Sequence, residues 1–265
     1  MNQYDLLKYA RKDTSQHGED GIIEQIFKIM PPVNKWCVEV GAFTGFSLSN
    51  TYTLINSHGW KSVQIEGDRR PYRRLAHRYK GNPSVYCMNK MIWFEGSDLL
   101  DNLLGQTPIP VDFDFLVIDI DSYDYHIWDT LVKYRPRIVM IEFNETIPND
   151  ISFIQRKDSP AKQGTSLLAT TELGKRKGYE LICVIEGNAI YVVKECFDLF
   201  GFEDNSLDYL HKSPYKTNIF ELYDGTLVIS GYGKYVWNRI KRREFSLLDR
   251  RRNEVINRDS RHGQP

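Results

Sequence analysis

Two short acid-bearing stretches, Asp119-Ile120-Asp121 and Glu142-Phe143-Asn144, carry the clearest chemistry in this sequence. Each places oxygen donors at i and i+2. On an extended chain such a pair points to one side. Oxygen ligands from two strand ends suit Mg²⁺ or Mn²⁺ better than zinc. The same groups are equally compatible with a hydrogen-bonded loop network that holds no metal. Asp121 is also placed to act as a base. His126, close behind it, is a candidate general base; its bland alternative is a satisfied core histidine.

A second set of residues reads as a nucleoside pocket. Glu39-x-Gly41-x-x-x-Gly45 lets backbone approach a ligand closely, and Ser47 follows in what is expected to be the first turn of a helix. Gly-rich turns of this kind serve many nucleotides. Glu66 stands where an acid can accept both ribose hydroxyl protons, and Asp68 is the better candidate for a helix cap. Asn89 lies where an adenine edge would sit, or is a turn residue. Gln16, in Ser15-Gln16-His17-Gly18-Glu19-Asp20-Gly21, either covers the site as part of a lid or belongs to a cluster that caps the next helix.

These groups need a scaffold that brings strand ends together, and the apolar pattern supplies one. Strands are expected at about 36–40, 61–66, 84–88, 113–120 and 137–143. Helices are expected at about 22–30, 47–58, 71–79, 97–104, 125–134 and 165–177. Phe113 to Ile120 is nearly continuous in apolar residues, which means burial on both faces of a parallel sheet. Gly187-Asn188 joins two final strands as a hairpin. Short helices are expected around 197–204 and 207–212. The pattern implies an α/β, doubly wound, mostly parallel sheet with an antiparallel last strand. In such sheets ligands bind outside the carboxyl ends of the strands, where Glu39, Gly41, Glu66, Asp68, Asn89, Asp119, Asp121, Glu142 and Asn144 are expected to fall.

At 265 residues, 41% hydrophobic, the chain can bury one sizeable core. We expect a main domain over 1–200, with 1–35 as an N-terminal helical lid, and a C-terminal extension over 201–265. Lys+Arg and Asp+Glu are both 35, so net charge gives no argument for nucleic acid as a partner. Residues 234–265 hold ten Lys/Arg against four Asp/Glu. A strand pair is expected over 215–229 and a basic helix over 235–256, serving as a solvated face or a homo-oligomer contact. The four cysteines form no C-x-x-C pair and read as free thiols of a reducing, cytoplasmic compartment. No stretch is apolar enough for a membrane span.

The order of these pieces resembles class I S-adenosylmethionine-dependent methyltransferases, and more closely the FkbM-related bacterial enzymes of glycan and natural-product clusters. The resemblance covers about residues 14–195. It rests on the Ser15–Gly21 opening, Val38-Glu39-Val40-Gly41-Ala42 with Gly45, and Ile65-Glu66-Gly67-Asp68. It continues through Ile118-Asp119-Ile120-Asp121 followed by Tyr125 and Trp128, Ile141-Glu142-Phe143-Asn144, and Gly164-Thr165-Ser166. It implies a seven-stranded Rossmann-like domain and S-adenosyl-L-methionine as cofactor. Gln16, Glu39, Gly41, Gly45, Ser47, Glu66, Asn89 and Asp119 would lie at that cofactor. Metal-dependent sugar O-methyltransferases carry a similar Asp-x-Asp, so Asp119 would bind metal and Asp121 would be base or second ligand. Asn144 departs from a second acid found there, and Phe43 replaces a middle glycine.

The reading is an O-methyltransferase acting on a hydroxyl of a sugar or a glycan or natural-product precursor. Tyr123, Tyr125 and Trp128 offer rings for a sugar, and the polar loop over 145–163, with Gln155, Arg156 and Lys157, could close over the acceptor. Two alternatives stay open: a non-catalytic binding protein on the same scaffold, and an NAD-dependent oxidoreductase, against which the lack of G-x-G-x-x-G counts.

Overall fold

The computed structural model describes residues 5–159, 162–212, 218–221, 223 and 227–230. The chain divides into two units, Met1–Lys212 and Ser213–Pro265. The division falls later than the expected 200/201. Leu181, Tyr191 and Phe200 are all buried in the first unit, so the 3-10 turn Lys194–Phe200 packs with the main core.

The first unit is built on a seven-stranded sheet: β1 (Trp36–Val40), β2 (Lys61–Glu66), β3 (Val85–Asn89), β4 (Phe115–Ile118), β5 (Ile138–Glu142), β6 (Tyr179–Ile185) and β7 (Asn188–Val193). Their order is β3-β2-β1-β4-β5-β7-β6. The first five run parallel; β7 lies antiparallel between β5 and β6. This is the Rossmann-like sheet that the resemblance implies. β1 and β4, at its centre, are buried along their whole length, as two-sided burial requires.

The helices are α1 (Glu19–Ile29), α2 (Tyr52–His58), α3 (Arg69–Arg78), α4 (Leu100–Leu104), α5 (Asp124–Thr130), α6 (Leu167–Arg176) and α7 (Leu207–Leu210). α1 buries Ile22, Ile23 and Ile26 on one stripe. Asp68 caps α3 by accepting from Arg70 N, and Ser166 caps α6 by accepting from Ala169 N. Two departures from the sequence reading matter to the site. α2 starts at Tyr52 rather than near 47, leaving 41–51 as a long loop. β4 stops at Ile118, so Asp119 and Asp121 stand beyond the strand.

The second unit shows β8 (Asn218–Glu221) paired antiparallel with β9 (Leu227–Ser230), the expected strand pair. The expected basic helix over 235–256 lies outside the described residues. Among the described residues no helix is long and apolar enough to cross a membrane.

Candidate functional site

The strand order reverses between β1 and β4, so the segments leaving them diverge and open a crevice at their carboxyl ends. Gly41 ends β1 there with φ +87. A β-carbon on it would run into the backbone carbonyl of Asp119. The two segments therefore meet at contact distance, and only glycine permits it.

The loop after Gly41 is held from below by Glu39, which is buried. Its Oε2 accepts from Ser49 Oγ (2.8 Å) and Thr51 Oγ1 (2.6 Å), and its Oε1 from Asn50 N (2.8 Å). Thr51 Oγ1 in turn accepts from Gln64 Nε2. Glu39 was expected to touch the cofactor; it points inward and shapes the loop instead. Three hydrogen bonds satisfy it where burial pushes its carboxyl upward. Ser47 was expected in a helix turn; it is exposed on the loop, its N–H near Thr44 Oγ1 (3.4 Å). Gly45, at φ +67, packs under Leu75 and Tyr79 of α3.

Glu66 stays at the crevice. It accepts from Phe43 N (2.8 Å) and Asp68 N (2.7 Å), one bond per oxygen. A carboxylate has about four acceptor positions, so two remain for a ligand. Asn89 donates to the Glu66 and Gly67 carbonyls and clips the ends of β2 and β3 together. Gln16 is exposed in the N-terminal segment. α1 begins after left-handed Gly18, which has no side chain to cap it; Ser15 Oγ instead accepts from Asp20 N in the first turn (3.2 Å), and the Asp20 carboxylate turns back to accept from the N–H groups of Asp13, Thr14 and Ser15. Thr14 Oγ1 bonds the Ser49 carbonyl, fastening the segment to the Gly41–Thr51 loop. Glu19 is buried and accepts from Asn188 Nδ2 (2.9 Å) on β7.

Asp119, Asp121 and Glu142 form the second half of the site. Each offers a carboxylate oxygen within 4.8 Å of the others, and all three are half-buried. The i, i+2 argument does not hold for Asp121, whose φ is +59 and not extended. The turn is instead drawn tight by buried Asp124, which accepts from Ile120 N (2.8 Å) and Ser122 N (2.9 Å). Desolvation, then the charges of Asp124 and Asp121, raise the Asp119 carboxyl far above its ordinary range. Desolvation, then Asp119 and Asp124, raise Glu142 likewise. Lys162 Nζ lies 3.0 Å from Asp121 Oδ2. Asn144 was expected as a fourth ligand. Its Oδ1 accepts from Thr146 N and Thr146 Oγ1, and its Nδ2 donates to the Gln163 carbonyl, so it builds the loop that follows.

That loop, between β5 and α6, is ordered around one buried side chain. Gln155 Oε1 accepts from Gln163 N (3.0 Å) and Gly164 N (2.9 Å), and Nε2 donates to Ser122 Oγ (3.1 Å). Its carbonyl accepts from His126 Nε2 (2.7 Å). Tyr123 OH donates to the Ser159 carbonyl. His126 was expected as a base. It is buried and ringed by Phe94, Tyr123 and Tyr125; its Nε2 pegs the loop through Gln155, while its Nδ1 has no hydrogen-bond partner among the described residues. Trp128 is fully buried and Tyr125 nearly so, which removes them as sugar platforms. Trp93 is exposed; it stacks on Phe94 at 4.4 Å and meets Tyr123 edge-on at 4.9 Å.

The donor set fits a hard cation: among the described residues it is three carboxylate oxygens, two of whose groups burial and then their neighbours' charges raise above the usual carboxylate range. For a nucleoside cofactor the fit rests on Glu66, with acceptor capacity to spare.

No family model matches this sequence. A caffeoyl-CoA O-methyltransferase of Stellaria longipes is 27% identical over 191 residues, which cover 69% of this chain and 73% of that protein. The O-methyltransferase from Bacillus cereus in complex with SAH aligns at 16% identity and TM-score 0.48, over 71% of this chain and 86% of that one. The citrinin polyketide synthase CMeT domain aligns at 13% identity and TM-score 0.44, over 66% of this chain; the chain spans 51% of that structure.

Proposed function

We propose that this chain is an S-adenosylmethionine-dependent O-methyltransferase for a hydroxyl of a small acceptor. In this reading a divalent cation, Mg²⁺ or Mn²⁺, is held by Asp119, Asp121 and Glu142. The observation that carries the reading is the carboxylate group at the end of β4 and β5, one strand away from the Gly41–Glu66 crevice. The similarity to an O-methyltransferase supports it. So does the resemblance of the ordered motifs to the FkbM-related group, which favours a sugar or sugar conjugate as acceptor. Exposed Trp93 beside Tyr123 gives such a ring an apolar face to lie on.

When bound, the cofactor supplies an activated methyl group and the cation lowers the proton affinity of the acceptor oxygen. The protein's own work is placement. Glu66 accepts the ribose hydroxyls. Asp121, its ionised carboxylate balanced by Lys162 before transfer, would take the proton released by the acceptor hydroxyl as the methyl group passes to its oxygen. The Gln155 loop holds the acceptor in line and keeps water out; positioning of this kind supplies much of the rate in a displacement of an activated group.

Titration calorimetry with S-adenosylmethionine and with NAD⁺ tests the first step. Heat with the former alone is expected; heat with NAD⁺ alone would overturn the reading. A scan of sugar acceptors by mass spectrometry, with and without Mn²⁺ after chelation, tests the second.

A further inference from the structure

α3 carries an arginine surface that nothing in the site uses. Its sequence is Arg69-Arg70-Pro71-Tyr72-Arg73-Arg74-Leu75-Ala76-His77-Arg78. At about 100° per residue, Arg69, Arg73, His77, Arg70, Arg74 and Arg78 follow one another round one half of the helix. Pro71, Tyr72, Leu75 and Ala76 fill the other half, and Leu75 is fully buried. Arg69, Arg70, Arg73, Arg74 and His77 are exposed. Among the described residues no side chain pairs with any of those four arginines; Asp68, the nearest acid in sequence, caps the backbone at Arg70 N. Like charges at i and i+4, Arg69 with Arg73 and Arg70 with Arg74, work against the helix. An external anion lying along such a row would relieve that repulsion.

The neighbouring loop adds an apolar margin. Arg78 Nε donates to the Thr44 carbonyl (3.1 Å), and its guanidinium lies 5.0 Å from the Phe46 ring centre. Tyr79 OH donates to the Gly45 carbonyl (3.2 Å). So Arg78 and Tyr79 fasten the loop to the end of the arginine row. There Phe46 and Leu48 are 42% and 52% exposed. Basic residues bordered by protruding Phe and Leu have the composition of a surface that rests on lipid. Single-stranded RNA would need free aromatic faces for its bases. Phe46 has Arg78 over its ring and Tyr52 edge-on at 4.9 Å, so it is poorly available for stacking.

We propose that α3 and the Phe46–Leu48 loop form a docking face for an anionic phospholipid surface. The arginines engage the headgroup phosphates, bidentate where geometry allows, and Phe46 and Leu48 enter the interfacial layer. This does not depend on the reaction catalysed.

Flotation of the full chain with vesicles tests it, using phosphatidylcholine alone and phosphatidylcholine mixed with phosphatidylglycerol. The chain is expected to float with the mixed vesicles only, and less as salt rises. Arg70→Glu with Arg74→Glu should lower partitioning at least about 25-fold, from roughly fivefold per charge removed. Leu48→Ser should weaken partitioning while leaving its salt dependence unchanged. Unaltered thermal melting of both variants shows that the fold survives an exposed substitution. Wild-type protein that ignores the anionic vesicles overturns the proposal. So does a charge-reversed variant that floats like wild type, or α3-dependent binding of an RNA oligonucleotide in place of vesicles.

Discussion

Gly41 and Asp119 touch through backbone alone: the α-carbon of one faces the carbonyl of the other with no room for a methyl group between. Gly41→Ala must therefore push β1 from β4 at their ends, with the added strain of an alanine at φ +87. A loss of about 3 kcal/mol or more is expected. Gly59→Ala is the control. It too has positive φ, +67, but nothing lies within 4 Å of its added carbon. Its cost should be about 1 kcal/mol. Equal urea midpoints for the two variants would refute the contact.

Glu39→Ala leaves Ser49 Oγ, Thr51 Oγ1 and Asn50 N without their acceptor in a buried place. The expected loss is about 3–5 kcal/mol of stability. Because the same loop borders Glu66, cofactor affinity should fall with it. An unchanged cofactor Kd would show that the loop keeps its form without Glu39.

The acidic group makes stability depend on pH in a definite direction. Asp119 is raised to about 7, by desolvation first and then by Asp124 and Asp121. The folded state thus holds a proton that the unfolded chain has already released. Its contribution is fully present below the ordinary aspartate value and is lost as pH climbs to about 7, where it levels off. Glu142 acts in the same sense. The unliganded protein should melt at progressively lower temperature from about pH 5 to about pH 7.5. Burial alone would raise Asp20; the hydrogen bonds of Ser15, Thr14 and Asp13 outweigh it and lower the group. Its effect is opposite in sign and confined to more acid solution.

A cation bound as proposed would reverse that slope. Mn²⁺ would take the ionised carboxylates, so the rise in Tm it produces should be larger at neutral than at acid pH. At a hundredfold excess over Kd the gain is about 2.7 kcal/mol. Asp119→Asn should abolish the gain while leaving S-adenosylmethionine binding intact. If Mn²⁺ leaves Tm unmoved at neutral pH, Lys162 is the only cation the group requires.

Gln155→Ala removes the side chain that folds the loop between β5 and α6 over Ser122. Acceptor kcat/KM should fall about 100-fold, with cofactor Kd unchanged. A parallel loss of both would mean that this loop belongs to the cofactor half of the site.

The strands, their parallel run and the gathering of acids at their ends were legible because burial writes a continuous apolar signal into short segments. What escaped the sequence is what depends on partners far along the chain. Ser49, Asn50 and Thr51 look like a helix start, yet they bond Glu39 across the loop and delay α2 to Tyr52. Asp121 looks like an extended neighbour of Asp119, yet Asp124 pulls the turn into left-handed geometry. Asn144 and the Nε2 of His126 look free for chemistry, but both fix one loop.

Gln155 bears one further consequence. Its amide and carbonyl join Gln163, Gly164, Ser122 and His126 at a single point, so none of these bonds can be given up alone without stranding buried polar atoms. The loop should therefore release as one cooperative unit. In hydrogen–deuterium exchange the amides of Gln163 and Gly164 would share one opening free energy and one denaturant slope, and that opening frequency would set a ceiling on how fast product leaves.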